Sequence, residues 1–169
     1  MAIDPDALKR LVERELESLM DARVIAHIRS LLVEPKVVLC DWDYGEPGQQ
    51  YPCWSVLEDD ASRIGIAYCE SGFGPGQPWG LVWLGGVEQT SMSMGMDSGR
   101  YSTFLDTVFE SRAVAPLPIW RVFRSDASGD RRSITGEDTW ETTWERVAEY
   151  RKADPASRYD CDHRIACGR

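Results

Sequence analysis

The chain has 169 residues, 43% hydrophobic and 28% charged, with a net charge of −9. That length suits one domain with a substantial core. The acidity excludes a protein that grips nucleic-acid phosphates and disfavours adhesion to anionic membrane surfaces.

Asp4 and Pro5 open a helix, the first as N-cap and the second at a position where a missing N–H costs nothing. Leu8, Leu11, Val12, Leu16, Leu19 and Met20 repeat at helical spacing. Asp21 then caps a second helix carrying Val24, Ile25, Ile28, Leu31 and Leu32, with Pro35 ending it; one bent helix over 5–32 fits the same pattern. Four strands follow at 36–44, 53–58, 63–70 and 80–84, separated by turns rich in Asp, Gly and Pro. Strands so closely spaced predict an antiparallel meander. Tyr101, Phe104, Leu105, Val108 and Phe109 form an amphipathic helical stripe. A strand at 119–123 and a polar hairpin or loop at 125–133 come next. The last helix starts at Asp138, with Glu141 completing a capping box, and stops at Pro155. The pattern predicts an α+β fold: a mainly antiparallel sheet of about five strands, with N-terminal helices and two further helices packed on it. Residues 1–155 read as a single domain and 156–169 as a tail.

No apolar run is long enough to span a bilayer, and MAIDPDALKR has acids where a signal peptide carries bases. The expected location is cytoplasmic. An odd number of cysteines, five, fits reduced thiols better than a disulfide framework.

Residues 38–99 hold nine acids and one base, Arg63, a local charge of −8. Asp41 and Asp43, two apart on one strand, share a face. With Glu46, Glu58, Asp59, Asp60 and Glu70 they define an acidic rim, which favours a cationic partner. Trp42, Phe73 and Trp79 supply aromatic anchors beside it. The same carboxylates could serve a glycosidase-type acid–base pair or hold a divalent cation, and they could equally be a solvated face.

The loop SGFGPGQPWG (71–80) lacks the Gly-Lys-Ser/Thr ending of a phosphate loop and joins strand to strand, so it reads as a stiffened recognition or structural loop. Cys40, Cys53 and Cys69 fall on neighbouring strands with no nucleophile motif, and read as buried small apolar residues. Cys161, His163 and Cys167 provide three of the four ligands a structural zinc needs, but they read first as a redox-labile or incidental tail. His27 reads as a packed or half-exposed histidine. Met92, Met94 and Met96 read either as an adaptable contact loop or as an edge strand filling core gaps. No cofactor is implied.

The phrases DWDYG (41–45), YPCW (51–54), IAYCESGFGPGQPWGLVW (66–83) and MGMDSGRYSTFLDTVFES (94–111) resemble a group of small acidic bacterial proteins, some of them similar to immunity proteins of toxin systems. The resemblance covers roughly residues 36–124 and transfers no site residues. It implies a bacterial, non-enzymatic protein that occludes a partner, plausibly a basic toxin domain. The alternative expectation is a small carboxylate-dependent hydrolase, with or without a divalent metal.

Overall fold

A computed structural model describes residues 3–42, 50–70, 73, 76–84, 92–94 and 100–163. The fold is α+β with N-terminal helices, as the sequence predicts. The chain forms two compact units, residues 1–114 and 115–168.

The first unit begins with two separate helices. α1 (Pro5–Leu16) is capped by the Asp4 carboxylate, which accepts from the Ala7 N–H at 2.7 Å. It buries Leu8, Val12 and Leu16. α2 (Ala22–Leu31) is capped by Asp21 and buries Val24 and Ile28. It ends at Leu31 and passes directly into a strand, before the proline expected to stop it. Pro35 instead lies inside β1 (Leu32–Trp42), where the ladder to the next strand shifts register between Leu32 and Lys36. A residue without an N–H is tolerated in a strand at such an irregularity.

β1, β2 (Gln50–Asp59), β3 (Ile64–Tyr68) and β4 (Trp79–Trp83) pair successively as an antiparallel meander. β5 (Met92–Met94) then pairs with β4 on one side and with β1 on the other, so the pairings close into a ring. Five alternately reversed strands bring the first and last together parallel, and β1–β5 is the parallel pair. One register row runs from Asp59 through Ile64, Trp83, Ser93 and Asp41 to Gln50. It returns to β2 nine residues from its start (59 − 50), so the strands are steeply inclined and the barrel narrow. Cys40, Cys53, Ala67, Cys69 and Val82 cluster in its interior, backed by Val38, Tyr51, Phe73 and Leu84. Of the three methionines read as loop or edge strand, Met92 and Met94 belong to β5; Met96 lies outside the described residues.

β6 (Arg100–Tyr101) adds to β4, so Tyr101 belongs to a strand and α3 starts later, at Phe104–Glu110. Thr103 caps it, accepting from Asp106 N–H at 3.0 Å. Phe104 packs against Trp79, with ring centres 5.2 Å apart. Within a 3-10 turn at Arg112–Val114, the Ala113 carbonyl lies 2.7 Å from Nε2 of half-buried His27 and satisfies it.

The second unit is a three-stranded antiparallel sheet, order β8-β7-β9, with α4 (Trp140–Ala153) beside it. β7 is Trp120–Ser125, β8 Arg131–Ser133 and β9 Arg158–His163. Residues 158–163, read from the sequence as tail, are thus a paired strand. Tyr159 and Cys161 from it join Val122, Val147 and Trp144 in the core, contacts that hydropathy alone did not single out. The helix is capped by Thr139 rather than Asp138. Asp138 is held extended by two backbone hydrogen bonds to Trp120, and its carboxylate pairs with Arg146 at 2.8 Å.

Candidate functional site

A barrel strand has one face inside and one outside, and β1 shows what its outer face carries. Val38 and Cys40 turn inward. Val37 and Leu39, at the alternate positions, stand 57% and 51% exposed. Across the β2 ladder, Val37 lies opposite half-buried Trp54, and Leu39 opposite exposed Pro52. Trp83, on β4, is 58% exposed. Large apolar groups left in water along one strand cost solubility, and contiguous ones mark interaction surfaces.

The helices cover other parts of the same unit. α1 lies over the start of β1, where Lys9, Val12 and Glu13 line a largely apolar cavity of about 320 Å³ with Leu32, Val33, Glu34, Pro35 and Val56. Lys9 pairs there with Glu34. α3 covers the Trp79 end of β4. The helical cover of β1 lies N-terminal to Val37, where the exposed ridge starts.

Among the described residues, those expected to form an acidic, aromatic surface divide between buried and exposed positions. Glu58 is half-buried; it accepts from the Ser55 hydroxyl at 2.7 Å and pairs with Lys36 at 2.9 Å. Burial pushes its carboxyl up, but the hydroxyl and the ammonium outweigh that and hold it below its ordinary range. Asp59 is buried and shapes the β2–β3 turn, accepting from Ala61 N–H at 3.1 Å and from the Ser62 hydroxyl at 2.6 Å. Trp79 is 1% exposed, wedged between Tyr68 and Phe104, and so is a core residue rather than a surface anchor. Phe73 lies over Gly80 and packs on the interior cluster. Asp60 and Glu70 are exposed. Asp41 takes a register position opposite Gln50 and Ser93, and Trp42 one opposite Met94. Asp43 and Glu46 lie outside the described residues.

The charge is distributed unevenly between the units. Residues 1–114 contain eighteen acids and nine bases, a net −9; residues 115–169 contain ten of each, a net of zero. The barrel unit therefore carries the whole net charge of the chain.

Sequence reading missed Val37, Leu39, Trp54 and Trp83. The signal was present in Val37-Val38-Leu39-Cys40: an uninterrupted apolar run makes both faces of a strand apolar, where a half-buried strand would alternate.

In the second unit, Cys161 and His163 share one face of β9. His163 meets Trp120 edge-on at 5.0 Å, and Cys161 packs in the core. Burial, with Asp160 and Asp162 adding to it, pushes the Cys161 thiol up to about 12, away from the thiolate a metal binds. Cys167 lies outside the described residues, and among those described no group of three or more His, Cys, Asp or Glu could hold a metal ion. No protein family, curated protein or solved structure matches the chain.

Proposed function

We propose that the protein is a non-enzymatic binding protein of the immunity type, which occludes a basic partner protein through the outer face of its barrel. The observation that carries this reading is the exposed ridge of Val37 and Leu39, flanked by Pro52 and Trp54, on the unit that holds the net charge of −9. The apolar ridge supplies contact area that is desolvated on binding; the surrounding negative potential draws in a cationic surface and rejects an acidic one. This moves the expected contacts away from Trp79, Phe73, Glu58 and Asp59, which serve the fold, and onto β1 and β2. Asp60 and Glu70 remain as exposed charge.

The hydrolytic alternative needs two carboxylates free to face a substrate. Glu58 is committed to Lys36 and Ser55, and Asp59 to its turn, so neither is free for that role, while Asp60 and Glu70 are exposed.

The test is affinity capture from the lysate of the source organism, with wild-type, Val37→Asp and Leu39→Asp baits compared at low and high salt. The expected result is one basic protein retained stoichiometrically by the wild type, released by salt, and lost with either variant while the variants' melting temperatures hold. Retention of that protein by both variants would refute the ridge as the contact. Capture that salt does not weaken would refute the electrostatic half of the reading.

A further inference from the structure

Three thiols meet inside the barrel. Cys40, Cys53 and Cys69 are 0%, 1% and 6% exposed and belong to one cluster. The ladder defines how two of them face each other. Trp54 pairs with Tyr68 and Ser55 with Ala67, so continuing the register sets Cys53 opposite Cys69. The Cys69 N–H donates to the Pro78 carbonyl on the β4 side, at 2.8 Å. Cys69 directly follows β3 with its N–H turned to the β4 side, so continuing the ladder toward β2 gives it a non-hydrogen-bonded position. Residues paired that way have Cα atoms about 4.5 Å apart, the closest approach an antiparallel ladder offers, and a disulfide spans about 4.4–6.8 Å. The side chains agree: the Cys53 thiol hydrogen bonds with those of both Cys69 and Cys40, and the Cys69 sulfur lies 3.8 Å from the Pro52 carbonyl.

We infer that Cys53 and Cys69 form a disulfide-competent pair that can staple β2 to β3, with Cys40 as the neighbouring thiol able to exchange into it. The reaction needs a two-electron oxidant, and a low-molecular-weight disulfide such as glutathione disulfide supplies it. Both protein thiols lose their hydrogens, one S–S bond forms between the cysteines, the oxidant's S–S bond breaks, and two molecules of reduced glutathione leave.

Within the closed barrel the attacking thiolate is hard to form: hydrogen bonds with Cys40 and Cys69, then burial, hold the proton on Cys53. The bond therefore forms while the barrel is open, during folding. This inference is independent of the binding role proposed for the outer face.

The test is refolding of the full chain from denaturant in a glutathione redox buffer, followed by alkylation and peptide mapping. The expected product links Cys53 to Cys69, leaves Cys40 alkylated, and melts about 5–10 °C above protein refolded with a reducing agent. Full alkylation of both Cys53 and Cys69 after oxidative refolding would overturn the inference, as would linkage of Cys53 to Cys161 or Cys167. In a Cys53→Ala chain the oxidant should no longer raise the melting temperature; a retained increase would also overturn it. The wild-type peptide map decides the question should that variant fail to fold.

Discussion

Replacing Gly80 by alanine tests how the barrel end is closed. A Cβ at Gly80 would lie 2.6–2.7 Å from three carbons of the Phe73 ring. Ordinary carbon contact is about 3.5–4.0 Å, so the ring must retreat by about 1 Å. Phe73 packs against the cluster of Cys40, Cys53, Ala67, Cys69 and Val82, and a retreating ring gives up part of that contact. Overpacking of this kind costs about 1–3 kcal/mol. We expect Gly80→Ala to cost about 2 kcal/mol, and Phe73→Ala, which strips a half-buried ring, a similar amount. In the double variant the new methyl occupies space the ring has vacated. The pair should therefore cost about 2 kcal/mol rather than about 4, a coupling of about 2 kcal/mol. Denaturant unfolding of the four chains, followed by tryptophan fluorescence, measures each value. Additivity within about 0.5 kcal/mol would show that Phe73 does not rest on Gly80 in solution.

Three further outcomes are expected. Trp79→Ala should destabilise by about 3–5 kcal/mol in chemical denaturation, because it empties the contact with Phe104 and Tyr68; a loss below about 1 kcal/mol would return Trp79 to the surface. Asp21→Asn keeps a capping oxygen but removes the charge paired with Arg23, whose hydrogen bonds lower the Asp21 carboxyl from 3.8 to about 2. The folded state therefore holds that proton less tightly than the unfolded state, and the wild-type advantage should be complete above pH 3.8 and vanish as pH falls toward 2. Glu15 has the opposite sign. Burial raises its carboxyl, although the N–H groups of Leu105 and Phe104 oppose that, so the folded state keeps the proton to higher pH. Stability should fall as pH rises through the range just above 4.5, and Glu15→Gln, which keeps an acceptor for Leu105, should flatten that slope in a series of unfolding curves.

Most elements were legible because their signals are local. Asp4-Pro5 and Asp21 mark helix starts by satisfying orphan N–H groups, and those caps form as read. The errors come where a longer-range contact wins. Pro35 reads as a stop in any local window, yet a register shift in the β1–β2 ladder accommodates it within a strand. Asp138 has the side chain of a cap but is claimed by Trp120, so Thr139 caps instead. Residues 158–163 are too polar to read as core, and become a strand because β7 offers a complete ladder. The candidate site was the least legible part. Composition shows that residues 38–99 are acidic and aromatic, but only tertiary structure distinguishes Trp79 inside from Trp83 outside, four residues apart on the same strand and 1% against 58% exposed. The difference is one helix: Phe104 of α3 covers the first, and Trp83 stays in water.

The ring also determines how β1 can be used. Its backbone pairs with β2 along one side and, at Cys40, Asp41 and Trp42, with β5 on the other, so a partner cannot add a strand at that end. In the proposed binding role, β1 would be read through its outward side chains, with Val37 and Leu39 as contact area and shape complementarity as the source of specificity. In the second unit, β8 and β9 each pair on one side only among the described residues. There β8 carries Arg131 and Arg132, and Arg131 pairs with Asp160 and Asp162 while lying 4.4 Å over the Phe123 ring. Charged side chains of this kind blunt a sheet edge against edge-to-edge pairing. The β8 edge is thus guarded by charge, while β1 carries exposed apolar side chains on its outer face, the face that the proposed binding role uses.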